Sequence, residues 1–471
     1  MALMPELSIV LGAYERTGDP TLVARNLYTE QVATPAGAKN QLRVRPGLSP
    51  LAKIGQGPLR GIAQKDGLFD GSAVLLSRRT LLTVTAEGQA TPFTGAAIPG
   101  DSLVDIALGQ DADLNSVAYI ATGTALYKAV SGAVTLDSSF PAGGASSVDY
   151  IAGYFVAVQA GTDMFYYLVP GGATWEPLDF ASAEYAPDPL VAVRARGEQI
   201  AMLGTTTFQV FALSGDGANP ITPYGGLNFD FGCRSRTSAV NCAGALIWVD
   251  NQSNVRRWDG GGVKIISTPG LAELIASVPS DELVAWSFAI PGHRFYVLRI
   301  GNAATWVYDL QELGDRWVTF DSLGLPYWRA QLGCNVGSDV LACDATTAQM
   351  YHLEDGRRMD GADAVPMGWS ALVVGADEPQ AMANLVLVCD LGDAPRTGQG
   401  SEPIVQMRWS DNEGKSFSGW RERPLGATGV NKPMPKWNAL GTVPAHIGRI
   451  LEFRISDPVG RVIRAIKANV P

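Results

Sequence analysis

The chain has no apolar run approaching the ~18 residues that a membrane-spanning helix needs, and almost no stretch with sustained helical periodicity. The N-terminus, MALMPELSIVLGAYERTGDP, has no basic stretch, and Glu6 precedes its short apolar run, so it is not read as a signal peptide. Histidine is scarce: His293, His352 and His446 are the three. None stands in an H-E-x-x-H or H-x-x-x-H arrangement, which leaves a zinc hydrolase without ligands, and His352, inside an apolar strand pattern, is expected to be a packed side chain. There is no G-x-S-x-G elbow and no phosphate-binding glycine loop. The five cysteines, Cys233, Cys242, Cys334, Cys343 and Cys389, are odd in number and lack C-x-x-C spacing. That argues against a secreted disulfide scaffold and for a chain made in a reducing cytoplasm. The equal spacing of Cys233/Cys242 and Cys334/Cys343 is too wide for paired zinc ligands, so buried thiols are expected, with no metal and no cofactor.

Charge is sparse as well. Charged residues make up 17% of the chain and the net charge is −10, the wrong sign for a protein held on nucleic acid by phosphate contacts. The charge is uneven. From residue 401 onward eleven Lys and Arg stand against six Asp and Glu, about +5, so the remainder carries about −15. One end could dock on an acidic partner while the body repels polyanions.

What is plentiful is turn-forming and strand-forming residues. Gly (53) and Pro (29) punctuate a chain that is 46% hydrophobic, the signature of many short strands. A short apolar strand recurs: RGIAQ (60–64), VDIAL (104–108), VDYIA (148–152), LVAVR (190–194), TSAVN (237–241), WSFAI (286–290) and RAQLG (329–333). The spacing of roughly 40–50 residues is that of a four-stranded propeller blade. A second element keeps step, a small polar turn followed by an aromatic-bearing strand: TGTALYKAV (122–130), TDMFYYLV (162–169), TTTFQVFAL (205–213), NQSNVRRWDG (251–260), NAATWVYDL (302–310) and TTAQMYHLE (346–354). Short apolar strands such as ALIWVD (245–250) and FYVLRI (295–300) lie between them. The pattern predicts an all-β chain whose residues 59–360 form a β-propeller of six or seven blades. TPGLAELIASVPSDEL (268–283) is the one persuasive helix, an insertion between two blades. Residues 1–58 are expected to be an N-terminal arm whose QLRVRPGLSPL segment (41–51) closes the ring against the last blade. Residues 361–471 change rhythm, and NLVLVCDLG, IVQMRWS, ILEFRIS and VIRAIKANV predict an antiparallel β-sandwich.

Within that last region SDNEGKSF fits the Asp-box pattern S-x-[DN]-x-G-x-[ST]-[WF] of sialidase-type propellers. Ser410, Asn412 and Gly414 are expected to make a hairpin turn and Phe417 to anchor it. The box occurs once, outside the repeats, and sialidases usually carry several. No carboxylate pair, or tyrosine with an arginine cluster, stands out as glycosidase machinery. Tryptophans such as Trp306, Trp317, Trp328, Trp409, Trp420 and Trp437 could bind sugars but more often pack between strands. A propeller glycosidase or depolymerase, or a monomeric adhesin for host polysaccharide, remains the alternative reading.

Three stretches resemble the packaged-DNA stabilisation proteins, or tail hub (nozzle) proteins, of short-tailed bacteriophages: NLYTEQVATPAGAKNQLRVRPGL (26–48), the run from ISTPGLAELIAS to TWVYDLQELGDRWVTFDS (266–322), and the run from WSDNEGKSFSGWRERPLG to RILEFRISDPVGRVIRAIKA (409–468). The loop at 429–450 is longer and less basic than that resemblance would give. The resemblance implies a non-enzymatic virion protein that forms a hexameric ring below the portal and adaptor rings. It implies that this ring extends the DNA channel, retains packaged DNA, and carries tail spikes or fibres and a plug or needle. DNA would pass without sequence-specific binding, and this chain would not insert into a membrane. On this reading Arg449, Arg454, Arg461, Arg464 and Lys467 are possible docking residues. As strand residues they alternate between faces.

Overall fold

A computed structural model of the chain describes residues 6–16, 19, 21–35, 37–310, 316–344, 346–460 and 462–469. Among these residues seven four-stranded antiparallel units follow one another around a ring. Their innermost strands are Leu59–Ala63, Asp105–Gln110, Ala145–Ile151, Leu190–Arg196, Val240–Cys242, Leu283–Ile290 and Ala330–Val336. Each touches the next, and the seventh touches the first, so the ring is closed and the blade count is seven. All seven recurring apolar motifs fall on or overlap these innermost strands. The aromatic-bearing motifs are the third strands of blades two to seven.

The reason lies in burial. Second strands such as Ala73–Ser77 and Ala245–Val249 are packed on both faces and are buried throughout, which is why they read as unbroken apolar runs. The turns before the third strands are held by short polar side chains. Asp250 accepts from the backbone N–H of Gln252 (2.9 Å) and Asn254 (2.8 Å), and Asp344 from Thr346 (2.9 Å) and Thr347 (3.0 Å). Such side chains mimic the backbone acceptor a turn needs. The α-helix Pro269–Ala276 lies between blades five and six. Thr268 caps it by accepting from Leu271 N–H, Pro269 opens it, and Leu271 and Ile275 are its buried face.

Blade seven takes its outer strand from the other end of the chain. Gly47–Lys53 pairs antiparallel with Gln349–Glu354 and completes the sheet. The rest of the N-terminal region belongs elsewhere. Leu27–Thr34, Gly37–Val44, Val462–Asn469, Asn384–Cys389 and Lys436–Asn438 form one sheet of the sandwich. Ala24–Arg25, Met367–Val373, Arg449–Ile455, Ile404–Ser410 and Arg421–Pro424 form the other. The stretch expected as an arm is therefore divided between sandwich and propeller. Ala24–Arg25 also runs parallel to Arg316–Thr319, the outer strand of blade six, so that blade's sheet continues into the sandwich. The sandwich core gathers Trp369, Phe453 and Trp437 with Leu, Ile, Val and Met from both sheets. Trp369 and Phe453 stack at 5.2 Å.

Candidate docking surface and propeller axis

The Asp-box residues build the expected turn. Ser410 Oγ donates to Asn412 Oδ1 (2.8 Å) and accepts from Gly414 N–H (2.9 Å), while Asn412 Oδ1 accepts from Ser416 N–H (2.9 Å). Glu413 and Gly414 both take positive φ, 59° and 85°, which makes glycine the favoured residue at 414. Phe417 is half-buried, and its ring lies 4.2 Å from the Arg408 guanidinium. That guanidinium also lies 4.5 Å from the ring of Trp420, which in turn sits 4.1 Å from Arg454. Phe417, Arg408, Trp420 and Arg454 thus form a cation–π ladder across the outer face of one sandwich sheet.

The basic residues weighed for docking do not gather on one face. Arg449 is corrected outright, being 3% exposed. Its Nε and Nη2 bind Asp411 at 2.6 and 2.8 Å, and Nη1 and Nη2 donate to the carbonyls of Leu440 (2.6 Å) and Thr442 (3.0 Å). It braces the Asp-box hairpin from inside, because it shares the inward face of its strand with Leu451, Phe453 and Ile455. Arg454 is exposed on the same strand, beside Trp420. Arg464 is exposed on the other sheet and paired with Asp390 at 2.5 Å. Lys467 is half-buried on that strand. Arg461 lies outside the described residues. Of the tryptophans, Trp306, Trp317, Trp328 and Trp437 are core, whereas Trp409 and Trp420 are half-buried on the sandwich.

The propeller axis holds a second constellation. Arg194, on the inner strand of blade four, reaches over blade three to Asp105 of blade two, with Nη1–Oδ2 2.8 Å and Nη2–Oδ1 3.2 Å. Ser147 of blade three joins them, donating to Asp105 at 2.6 Å and accepting from Arg194 at 3.0 Å. Arg194 also donates to the carbonyls of Ala239 (2.7 Å) and Arg236 (3.1 Å). Arg236 in turn donates to the carbonyls of Ser146 and Leu103. Burial opposes the charge on Asp105, but Arg194 and Arg236 overcome it and hold the carboxyl below its usual range. Asp149, nearby, goes the other way: burial raises it despite Arg194 and two backbone donors. Two hollows lie on the axis, about 780 Å³ at one mouth and about 480 Å³ among the inner strands, and the clasp lines the smaller. The sequence held a signal for it, since VDIAL, VDYIA and LVAVR carry charges inside otherwise apolar inner strands.

The five cysteines stand outside disulfides, and four of them are buried. Burial pushes Cys233 and Cys242 up to about 12, which makes them unreactive at neutral pH. Among the described residues no group of His, Cys, Asp and Glu could hold a metal ion, and no helix is long and apolar enough to cross a membrane.

A family model described as bacteriophage P22 Gp10, beta-propeller, matches residues 7–357. The chain belongs to this phage stabilisation family. It is a structural phage protein of the packaged-DNA stabilisation or tail-hub type, a component of the virion. No curated protein matches the sequence. Among solved structures, the computationally designed Ika8 protein aligns at 12% identity over 74% of this chain and 97% of its own, with a TM-score of 0.38. A structure of BBS1N in complex with ARL6DN aligns at 11% identity over 66% of this chain and 99% of that one, with a TM-score of 0.44. The extracellular domain of BT4673 from B. thetaiotaomicron aligns at 9% identity over 87% of this chain, which spans 58% of that one (TM-score 0.44).

Proposed function

We propose that this tail-hub protein works as a ring of six copies below the portal and adaptor rings. The ring extends the DNA channel, retains packaged DNA, and carries tail spikes or fibres and a plug or needle. Membership of the phage stabilisation family is the observation that carries this reading. The Arg194–Asp105 clasp ties inner strands of blades two and four together at the propeller axis, which favours a channel between subunits rather than through any one of them. The net charge of −10 per chain gives about −60 for six, and an acidic wall lets DNA slide without adhering. The exposed basic residues Arg454 and Arg464 supply points of contact with an acidic ring. The Asp-box polar groups are bonded to one another within the turn, which favours a structural hairpin over a catalytic one. On this reading the chain has no enzymatic activity. Its five cysteines, none in a disulfide, fit synthesis in the host cytoplasm.

Mass photometry of the purified chain, alone and with assembled portal–adaptor rings, tests the reading. About six copies added per ring is the expected result. A chain that ignores those rings would refute it, and turnover of host polysaccharide would then favour the depolymerase alternative.

A further inference from the structure

The larger axial hollow, about 780 Å³, opens at the mouth formed by the loops that lead into the inner strands. Its size is that of a ligand site. Four arginines line it: Arg60, Arg234, Arg236 and Arg299. All four spend N–H groups on neutral acceptors. Arg60 donates to the carbonyls of Ser102 (2.8 Å), Arg78 (2.6 Å), Ile98 (3.0 Å) and Pro99 (3.0 Å). Arg234 donates to Ser253 Oγ and to the Val278 carbonyl (2.8 Å). Arg236 is held by the carbonyls of Ser146 and Leu103. Arg299 donates to the Gly301 carbonyl (2.9 Å) and Asn302 Oδ1 (2.8 Å).

The propeller's arginine–carboxylate pairs are made by other arginines: Arg194, Arg256, Arg257 and Arg329. Among the described residues none of the four at the mouth has such a pair. Four fixed cations with no directly bonded carboxylate therefore converge on one hollow of an acidic protein, although Asp105 acts on Arg236, Asp101 on Arg60, and Asp344 and Glu282 on Arg299 through space. Carbonyl acceptors fix their positions without neutralising them, and the through-space carboxylates offset the charge only in part. Such a cluster is a preorganised anion site whose ordering cost is already met in the free protein.

The rim narrows the choice of anion. Asp101, Asp281 and Glu282 stand exposed at the same mouth. A polyanion such as a nucleic-acid strand would meet them as like charges. A single carboxylate flanked by cations meets complementary charge at both depths, the carboxylate on the inner arginines and the cations on the rim acids. We propose that this mouth binds a polypeptide segment presenting one acidic side chain between basic neighbours. The probe reads binding to a single copy of the chain, so its outcome is distinguishable from failure of the ring reading.

The probe is the peptide acetyl-Gly-Lys-Glu-Lys-Gly-amide, titrated calorimetrically into the full chain at low salt. The controls are its Lys-Gln-Lys and Glu-Glu-Glu counterparts. The Glu peptide should bind at least about tenfold more tightly than the Gln peptide, and Arg234→Gln should weaken it by about tenfold. Glu282→Gln, on the exposed rim, should weaken the Lys-Glu-Lys peptide and strengthen the Glu-Glu-Glu peptide, with an unchanged thermal melt as the control for folding. Absence of binding, equal affinity for the Glu and Gln peptides, or indifference of both peptides to Glu282→Gln would overturn the proposal.

Discussion

Arg45 and Asp360 face each other in a two-pronged ion pair, Nη1–Oδ1 2.9 Å and Nη2–Oδ2 2.7 Å, with side-chain exposures of 0% and 1%. Around them Arg45 donates to Asn26 Oδ1 (2.8 Å) and the Asp321 carbonyl (2.8 Å), and Ser322 donates to Asp360 (2.6 Å). Asn26 ties Asp321 (2.7 Å) to the Pro366 carbonyl (2.7 Å). The network joins the first sandwich strands, the exit of blade six and the start of the C-terminal region, so both halves share one buried lock. Arg45→Met should cost about 3–5 kcal/mol, because it strands Asp360 without its cation. Arg45→Met/Asp360→Leu should recover much of that. Urea unfolding followed by tryptophan fluorescence and by circular dichroism would measure it.

The axial clasp makes a pH prediction. The folded-state carboxyl of Asp105 lies below its usual range, so its pair with Arg194 adds stability that is fully present above the unfolded value of about 3.9. That contribution is lost as pH falls through the lower folded value. Asp105→Asn should therefore cost about 2–3 kcal/mol at pH 7, because buried Arg194 loses its bonded carboxylate and keeps only neutral acceptors and the more distant Asp149. The difference from the parent should shrink below pH 4. Asp149 works with the opposite sign. Its folded value is raised, so its contribution is fullest below about 3.9 and declines as pH rises through the folded value. Thermal melts of parent and variant from pH 3 to pH 7 would separate the two.

Asp411 lies between Ser410 and Asn412 of the Asp-box and is the carboxylate that Arg449 grips. Asp411→Ala should lower stability by about 2 kcal/mol, in the range of a hydrogen bond to a charged group, since Arg449 keeps its two carbonyl acceptors. Ser410→Ala removes an acceptor that serves Gly414 N–H. The two losses should not add, because both loosen one hairpin. A double-mutant cycle in chemical denaturation would read the coupling.

Legibility in the sequence followed the range of the interactions. The inner and third strands of the propeller were readable because each blade repeats a local pattern of apolar strand and polar turn. The Asp-box turn was readable because its bonds span four residues. The inward position of Arg449 also had a local signal. Leu451, Phe453 and Ile455 alternate on one face, and counting back by two puts Arg449 inward and Arg454 outward. The division of residues 6–53 between sandwich and propeller had no such local mark. Ala24–Arg25 finds its partners at Thr319 and at Gly368–Trp369, in the far half of the chain. The Arg194–Asp105 clasp spans two blades, and no spacing rule foretells which inner-strand charges will meet across an axis.

Ring closure offers a test at a single atom. Gly47 opens the strand that completes blade seven, and a Cβ there would lie 2.6 Å from the Met359 carbonyl oxygen and 2.7 Å from that of Arg357. Its backbone is not in the left-handed region, so the constraint is space alone. Backbone oxygens cannot swing aside as a side-chain tip would. Gly47→Ala should therefore push the closing strand off the turn at 357–359 and cost about 1–3 kcal/mol, as overpacking does. The loss should be local at first. Gly47 pairs with Glu354 and Leu48 with Leu353, so hydrogen exchange should quicken at Leu353 and in the strand Gly47–Lys53 before it does in blades two to four. Uniform quickening around the ring would mean that closure is not the weak point of the propeller, and that the seven blades unfold as one unit.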